Sequence, residues 1–272
     1  MSDLFGFDAF SPKEIARKVE DIGVAKARLP LQAMLMLGIL AGAFIGLGAL
    51  YYVVIRSDAS LGVAIRQLLG GMAFALGLIL VTVAGAELFT GNNLLVMAWA
   101  DRKISTLELL RSWLVVCTGN FIGAVGLAVL VYLSRHAEGD DGLIGQAYLH
   151  IAAQKVTMPF WTAFFRGVLC NALVCLAVWM ALAGRSVVDK VVAVVVPVSA
   201  FVAAGFEHSV ANMYLIPMAM LLQAAGVAAH QDPITWQGFL LSLVPVLLGN
   251  LVGGSMLVGL VYYLIYGRVP KQ

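Results

Sequence analysis

The chain has 272 residues, 61% of them hydrophobic and only 12% charged, with a mean hydropathy of +0.94; soluble domains carry about a quarter charged residues. That composition excludes a soluble globular protein and leaves no room for a hidden soluble catalytic domain. A net charge of +2, from 17 basic and 15 acidic residues, offers nothing to nucleic acid.

The first thirty residues lack the basic-then-apolar pattern of a cleavable signal, which places the start of the chain on the cytoplasmic side. Residues 11 to 29 read as an amphipathic surface helix. Ser11, Pro12 and Glu14 supply the N-cap, the first-turn proline and the capping-box acid, while Ile15, Val19 and Ile22 fall on one face. Such a helix serves either as an interfacial anchor or as a gate beneath a pore. Apolar stretches follow at 31 to 55, 67 to 100, 112 to 134, 158 to 183, 191 to 220 and 238 to 266. They predict six spans, with residues 1–30 as a cytoplasmic helix, 31–267 as one transmembrane domain and 268–272 as a cytoplasmic tail. The second and fifth stretches exceed one straight crossing of a core about 30 Å thick. Each holds Gly and polar residues near its middle, so both are expected to be broken helices.

With both ends inside, twelve Lys and Arg lie on the cytoplasmic side and four (Arg56, Arg66, Arg135 and Lys155) outside, which satisfies the positive-inside rule. Trp99, Trp113, Trp161 and Trp236 fall near span ends as an aromatic belt would place them. Cys117, Cys170 and Cys175 have no metal-ligand or CxxC spacing, so they read as small buried hydrophobes and neither a disulfide framework nor a metal site is indicated.

An internal repeat is visible. Gly85, Glu87 and Asn92 align with Gly205, Glu207 and Asn212 at an offset of 120, and the run Gly119 to Gly123 echoes Gly249 to Gly253 at an offset of 130. Three spans per half force the second half to enter the bilayer in the opposite sense, giving two inverted three-span repeats at about 31–134 and 158–267. Glycine lets the chain leave the helix, and the freed backbone groups then need polar partners, a role suited to Glu87 and Glu207. Broken helices that aim their ends at a central point suit permeation of a small ion or polar solute. His208 stands where the repeat breaks, opposite Leu88, and a lone intramembrane histidine is a functional candidate. His136, His150 and His230, in or near loops, receive no role. No nucleophile or metal motif accompanies His208, so an enzyme is not expected and no cofactor is implied.

Residues 85 to 92 and 201 to 217, the run from Asn171 to Met180, Gly184-Arg185-Ser186 with Asp189-Lys190, and Gly249-Asn250 together resemble the formate/nitrite transporter family over nearly the whole chain. The resemblance implies an all-α membrane protein of aquaporin-like protomers, without Asn-Pro-Ala motifs, assembled as a homopentamer in a bacterial or archaeal inner membrane. Each protomer would pass a small monovalent anion (formate, nitrite or hydrosulfide), with protons as partners. It also implies a constriction at Leu88, Phe89 and Thr90, apolar pore positions at Phe74, Leu78 and Phe201, and residues beside the pore at Asn171 and Val174. Lys155 becomes a vestibule lysine and His208 the central histidine, while Arg166 is left open. The run from Gly184 to Lys190 and Ile216-Pro217-Met218 look most like formate channels, whereas Glu87 to Gly91 and Phe165-Arg166-Gly167 lean toward nitrite channels.

Overall fold

A computed structural model describes residues 9 to 227 and 234 to 267, so His230 and the expected tail at 268–272 lie outside the described residues. Every regular element among them is helical. The first, α1 (Pro12–Ala27), begins at the expected capping box: Ser11 accepts from the Glu14 amide, and Glu14 accepts from the Ser11 amide. The Ser11 hydroxyl and amide together hold the Glu14 carboxyl below the usual carboxylate range.

Among the described residues, five helices are long and apolar enough to cross a membrane: α2 (Leu31–Ser57), α3 (Val63–Ile79, prolonged by a wide turn to Gly85), α5 (Thr106–Leu133), α7 (Phe160–Ala183), and α10 (Trp236–Leu251, prolonged to Gly267). The second apolar stretch is interrupted as expected. After α3 the chain is non-helical until a 3-10 turn at Gly91–Leu95, which leads into the short α4 (Val96–Ala100). The fifth divides into α8 (Val187–Ala203) and α9 (Ser209–Ala224), neither of which has the length of a single crossing. One element was not foreseen: α6 (Leu143–Val156), before α7, buries Tyr148, Leu149 and Ile151 against the core.

The two halves pack alike. Helices α2 and α5 approach so closely that a methyl group on Gly123 would collide with the Ile39 carbonyl. The corresponding Gly253 on α10 meets Val168 of α7 in the same way. Both breaks begin on a left-handed glycine, Gly85 at φ +87° and Gly205 at φ +69°, a conformation that costs other residues about 1–2 kcal/mol.

Three expectations change. Ile22 is exposed, and α1 instead buries Glu20 beside Ile15 and Val19. Glu20 lies 2.5 Å from Lys103, and burial raises its carboxyl against that ammonium's pull. Helix α1 is therefore docked on the polypeptide, against α4 and the end of α7, rather than lying free at an interface. Trp113 donates its indole N–H to the Asn92 carbonyl at 2.9 Å and so braces the first break. Cys170 and Cys175 are buried, but Cys117, packed against the core from α5, is only partly so.

Gly205→Ala should lower the thermal unfolding midpoint in detergent by the equivalent of about 1–2 kcal/mol, since the added methyl meets open space and only the backbone conformation resists it. An unchanged midpoint would show that the break tolerates a right-handed residue.

Candidate functional site

Leaving a helix inside the bilayer strands amide and carbonyl groups, and two asparagines collect them. Asn120 donates to the carbonyls of Gly38 and Glu87 (2.8 and 2.9 Å) and accepts from the Phe89 amide at 2.9 Å. Asn250 donates to the carbonyls of Gly167 and Glu207 (2.9 and 3.0 Å) and accepts from the Ser209 amide at 3.0 Å. The Glu87 amide reaches Leu37 and the Glu207 amide reaches Arg166 by matching backbone bonds. A planar amide both donates and accepts, whereas an ionised carboxylate only accepts. The freed backbone is thus held by these asparagines rather than by the glutamates.

The glutamates are used differently. Glu87 accepts from Asn92 at 2.7 Å and pairs with Lys26 at 3.0 Å. Glu207 accepts from Asn212 at 2.8 Å and pairs with Lys155 at 2.9 Å. Lys26 was not singled out in the sequence, yet it lies 12 residues before Gly38 as Lys155 lies 12 before Gly167. The lysines come from dissimilar places, the last turns of α1 and α6.

Each break opens on a cavity. One, of about 570 Å³, is lined by Arg56, Lys155, Arg166, Phe74, Phe201 and His208 among others. The other, of about 370 Å³, lies beside α1 and is lined by Lys26, Glu87, Leu78, Leu88 and Lys190. Phe74 and Leu78, one turn apart on α3, face the two cavities in succession, and with Phe201 and Leu88 they form an apolar barrier, each at most 4% exposed.

His208 and Thr90 meet within that barrier, their Nε2 and Oγ1 3.0 Å apart. The imidazole stacks on Phe201, with centroids 6.0 Å apart and planes at 16°, and meets Phe74 edge-on. Its other nitrogen, Nδ1, caps α9 by accepting the Ala211 amide at 3.1 Å. An Nδ1 that accepts has no proton, so the neutral ring carries its proton on Nε2 and donates to Thr90. The Thr90 carbonyl in turn accepts from Asn171 (3.2 Å) and from the Cys175 thiol.

The remaining expected positions are close but not on the cavities. Asn171, Val174 and Phe89 are buried and line neither. Asn171 ties the two breaks together by donating to Thr90 and to the Asn250 carbonyl at 2.6 Å. Among the described residues no group of His, Cys, Asp and Glu is arranged to hold a metal ion.

Paired half-helices, an amide clamp at each break and two charged vestibules separated by an apolar barrier define a multi-pass membrane protein of the channel or transporter class. The chain belongs to the formate/nitrite transporter family, whose model matches residues 13–264. It is 40% identical over 275 aligned positions to the formate channel FocA of Escherichia coli (strain K12), covering 96% of each chain. Among solved structures it resembles a pentameric formate channel with formate bound (TM-score 0.80, 39% identity, 88% of this chain and 98% of that one). It also resembles an FNT family ion channel (TM-score 0.81, 31% identity, 94% and 99%).

Asn250→Ala should destabilise the folded protein by roughly 3 kcal/mol or more, because three buried backbone groups lose their partner at once. Asn120→Ala should do the same at the other break. Thermal unfolding in detergent measures both, and a loss below that of an ordinary surface substitution would mean that water replaces the amide.

Proposed function

We propose that this chain is a channel for small monovalent weak-acid anions, formate foremost, and not an enzyme. It would work as a homopentamer in the inner membrane of a bacterium or archaeon with both termini in the cytoplasm. The vestibule beside α1 would then be cytoplasmic and the vestibule beside α6 external. Residues 1–30 form the cytoplasmic helix and 31–267 the six-span domain in this reading. The observation that carries it is the His208–Thr90 hydrogen bond set in an apolar barrier between two lysine-bearing vestibules. The FocA relative and the formate-bound pentamer support formate and the pentamer.

A bare anion entering the barrier loses its hydration, a cost no apolar wall returns. Lys155 raises the local anion concentration outside, and the positive end of α9, aimed inward at His208, draws the anion on. At the barrier the anion exchanges with Thr90 for the Nε2–H of His208. A second proton, taken from the vestibule, has to settle on Nδ1 and displace the Ala211 cap, so the imidazolium is a brief and strained state. It is also the state in which Nε2 can give its proton to the anion, leaving a neutral ring protonated on Nδ1 that recovers the Ala211 cap by releasing that proton and taking one back on Nε2. The neutral acid then crosses Phe74, Leu78, Phe201 and Leu88 without the charge penalty. Glu87, Glu207, Gly85, Gly205, Asn92 and Asn212 keep the breaks open, and Asn171 and Val174 hold the wall behind Thr90.

Currents on solid-supported membranes with formate, nitrite and hydrosulfide test the reading. Formate should give the largest, and glycerol permeation without any anion current would overturn it. Lys155→Ala should reduce flux and its sensitivity to salt, since a vestibular cation acts by screened attraction. Equal salt dependence in parent and variant would remove Lys155 from the path.

Leu88→Ala should admit acetate or lactate by widening the barrier. If Leu88 only packs, the variant loses about 2–5 kcal/mol of stability with selectivity unchanged.

His208→Asn isolates the proton. Asparagine can cap α9 in place of Nδ1, yet it does not exchange a proton near neutral pH. The parent should carry the acid electroneutrally, with a pH dependence that the variant lacks, and the variant should pass the bare anion electrogenically or pass little. Paired current and internal-pH recordings between about pH 5 and 8 bracket the ordinary histidine range. Identical charge movement in both proteins would leave His208 a packing residue.

A further inference from the structure

The vestibule beside α6 holds more positive charge than its role at the break consumes. Lys155 is matched by Glu207, the only acid among the described residues of the cavity lining. Arg56 and Arg166 line the same cavity and, among the described residues, neither guanidinium has an ion pair or a hydrogen bond. Arg56 Nε is buried without a partner. Its guanidinium carbon is 6.0 Å from the Tyr52 ring centre, which fixes the side chain against an apolar wall. Gln67 and Thr162 add neutral donors to that lining.

The cavity is also larger than formate requires. Its volume of about 570 Å³ falls within the roughly 300–1,000 Å³ of pockets that enclose ligands of many atoms. A guanidinium presents its N–H groups as a planar fork that matches a carboxylate bidentately, whereas an ammonium acts as a point charge.

We propose that Arg56 and Arg166, with Gln67, form a second anion site at the mouth of the α6 vestibule that takes planar carboxylates. Dicarboxylates too bulky for the barrier of Phe74, Leu78, Phe201 and Leu88 then act as blocking ligands from that face alone. Two unmatched cations suit a dianion, and they share the cavity with the Lys155–Glu207 pair. The blocking role rests on the channel reading given above, while the binding site itself does not.

Malonate is the probe. Isothermal titration of the detergent-solubilised protein should show saturable binding, and malonate on the α6 face of proteoliposomes, but not on the α1 face, should suppress formate current. The Arg56→Gln, Arg166→Gln double variant should weaken malonate binding by about tenfold or more, as expected for lost charge-assisted forks. Replacing both with lysine should restore only part of it, because the charge returns without the fork. If the glutamine pair does not assemble, Arg166→Gln alone, at an exposed position, reads the same loss. No saturable binding by the parent, block from the α1 face alone, parent-like binding by the glutamine variant, or full restoration by lysine would each overturn the site. Malonate binding without any formate current would sink the transport reading and leave this site standing.

Discussion

A peptide group that leaves a helix within hydrocarbon has no water to bond, and the rest of this structure follows from how that deficit is met. At each break one asparagine side chain supplies two donors and one acceptor to three backbone groups. The asparagines are carried on α5 and α10, so these helices must lie against α2 and α7 closely enough for Gly38 and Gly167 to be reached. That requirement accounts for the bare glycines at the two crossings, where a side chain would strike backbone. It also explains why the glutamates are free for another use, each holding an asparagine and a lysine at the edge of a vestibule.

The two halves share a backbone solution but divide the chemistry. At an offset of 120, Leu88 corresponds to His208, and Thr90 to Val210. Each half therefore contributes one polar side chain and one apolar one, at non-equivalent positions, and the polar pair meets across the barrier. A strictly symmetric molecule would place two histidines or two leucines there. The first would bury two ionisable rings side by side, and the second would leave an entering anion with no donor.

The breaks were legible because Gly-x-Glu with an asparagine five residues beyond the acid is a polar pattern inside two otherwise apolar stretches, and it occurs twice. The histidine was legible for the same reason, as the point where the copies differ. Helix α6 was not, since fourteen residues with only one apolar face have neither the length of a span nor the polarity of a loop. Lys26 was hidden by context: it sits on a helix that precedes the first span, and only alignment on Gly38 and Gly167 brings it opposite Lys155. The asparagines could be read as part of a repeat, but their task could not, because each joins a break in its own half to a carbonyl of a helix some 80 residues away.

The two ends of the molecule are closed by different means, and this bears on how the chain can be shortened. One glutamate's countercharge comes from α6, an internal connector, but the other's comes from α1, near the beginning of the polypeptide. Trimming the leader back to the first span would therefore remove Lys26 and strand the Glu87 carboxylate, 6% exposed, with Asn92 as its remaining hydrogen-bond donor. It would also uncover Leu94, Leu95 and Met97, on which α1 rests. The leader is thus a wall of the permeation unit, and fusions or tags belong upstream of the Ser11 cap rather than in place of the helix that follows it.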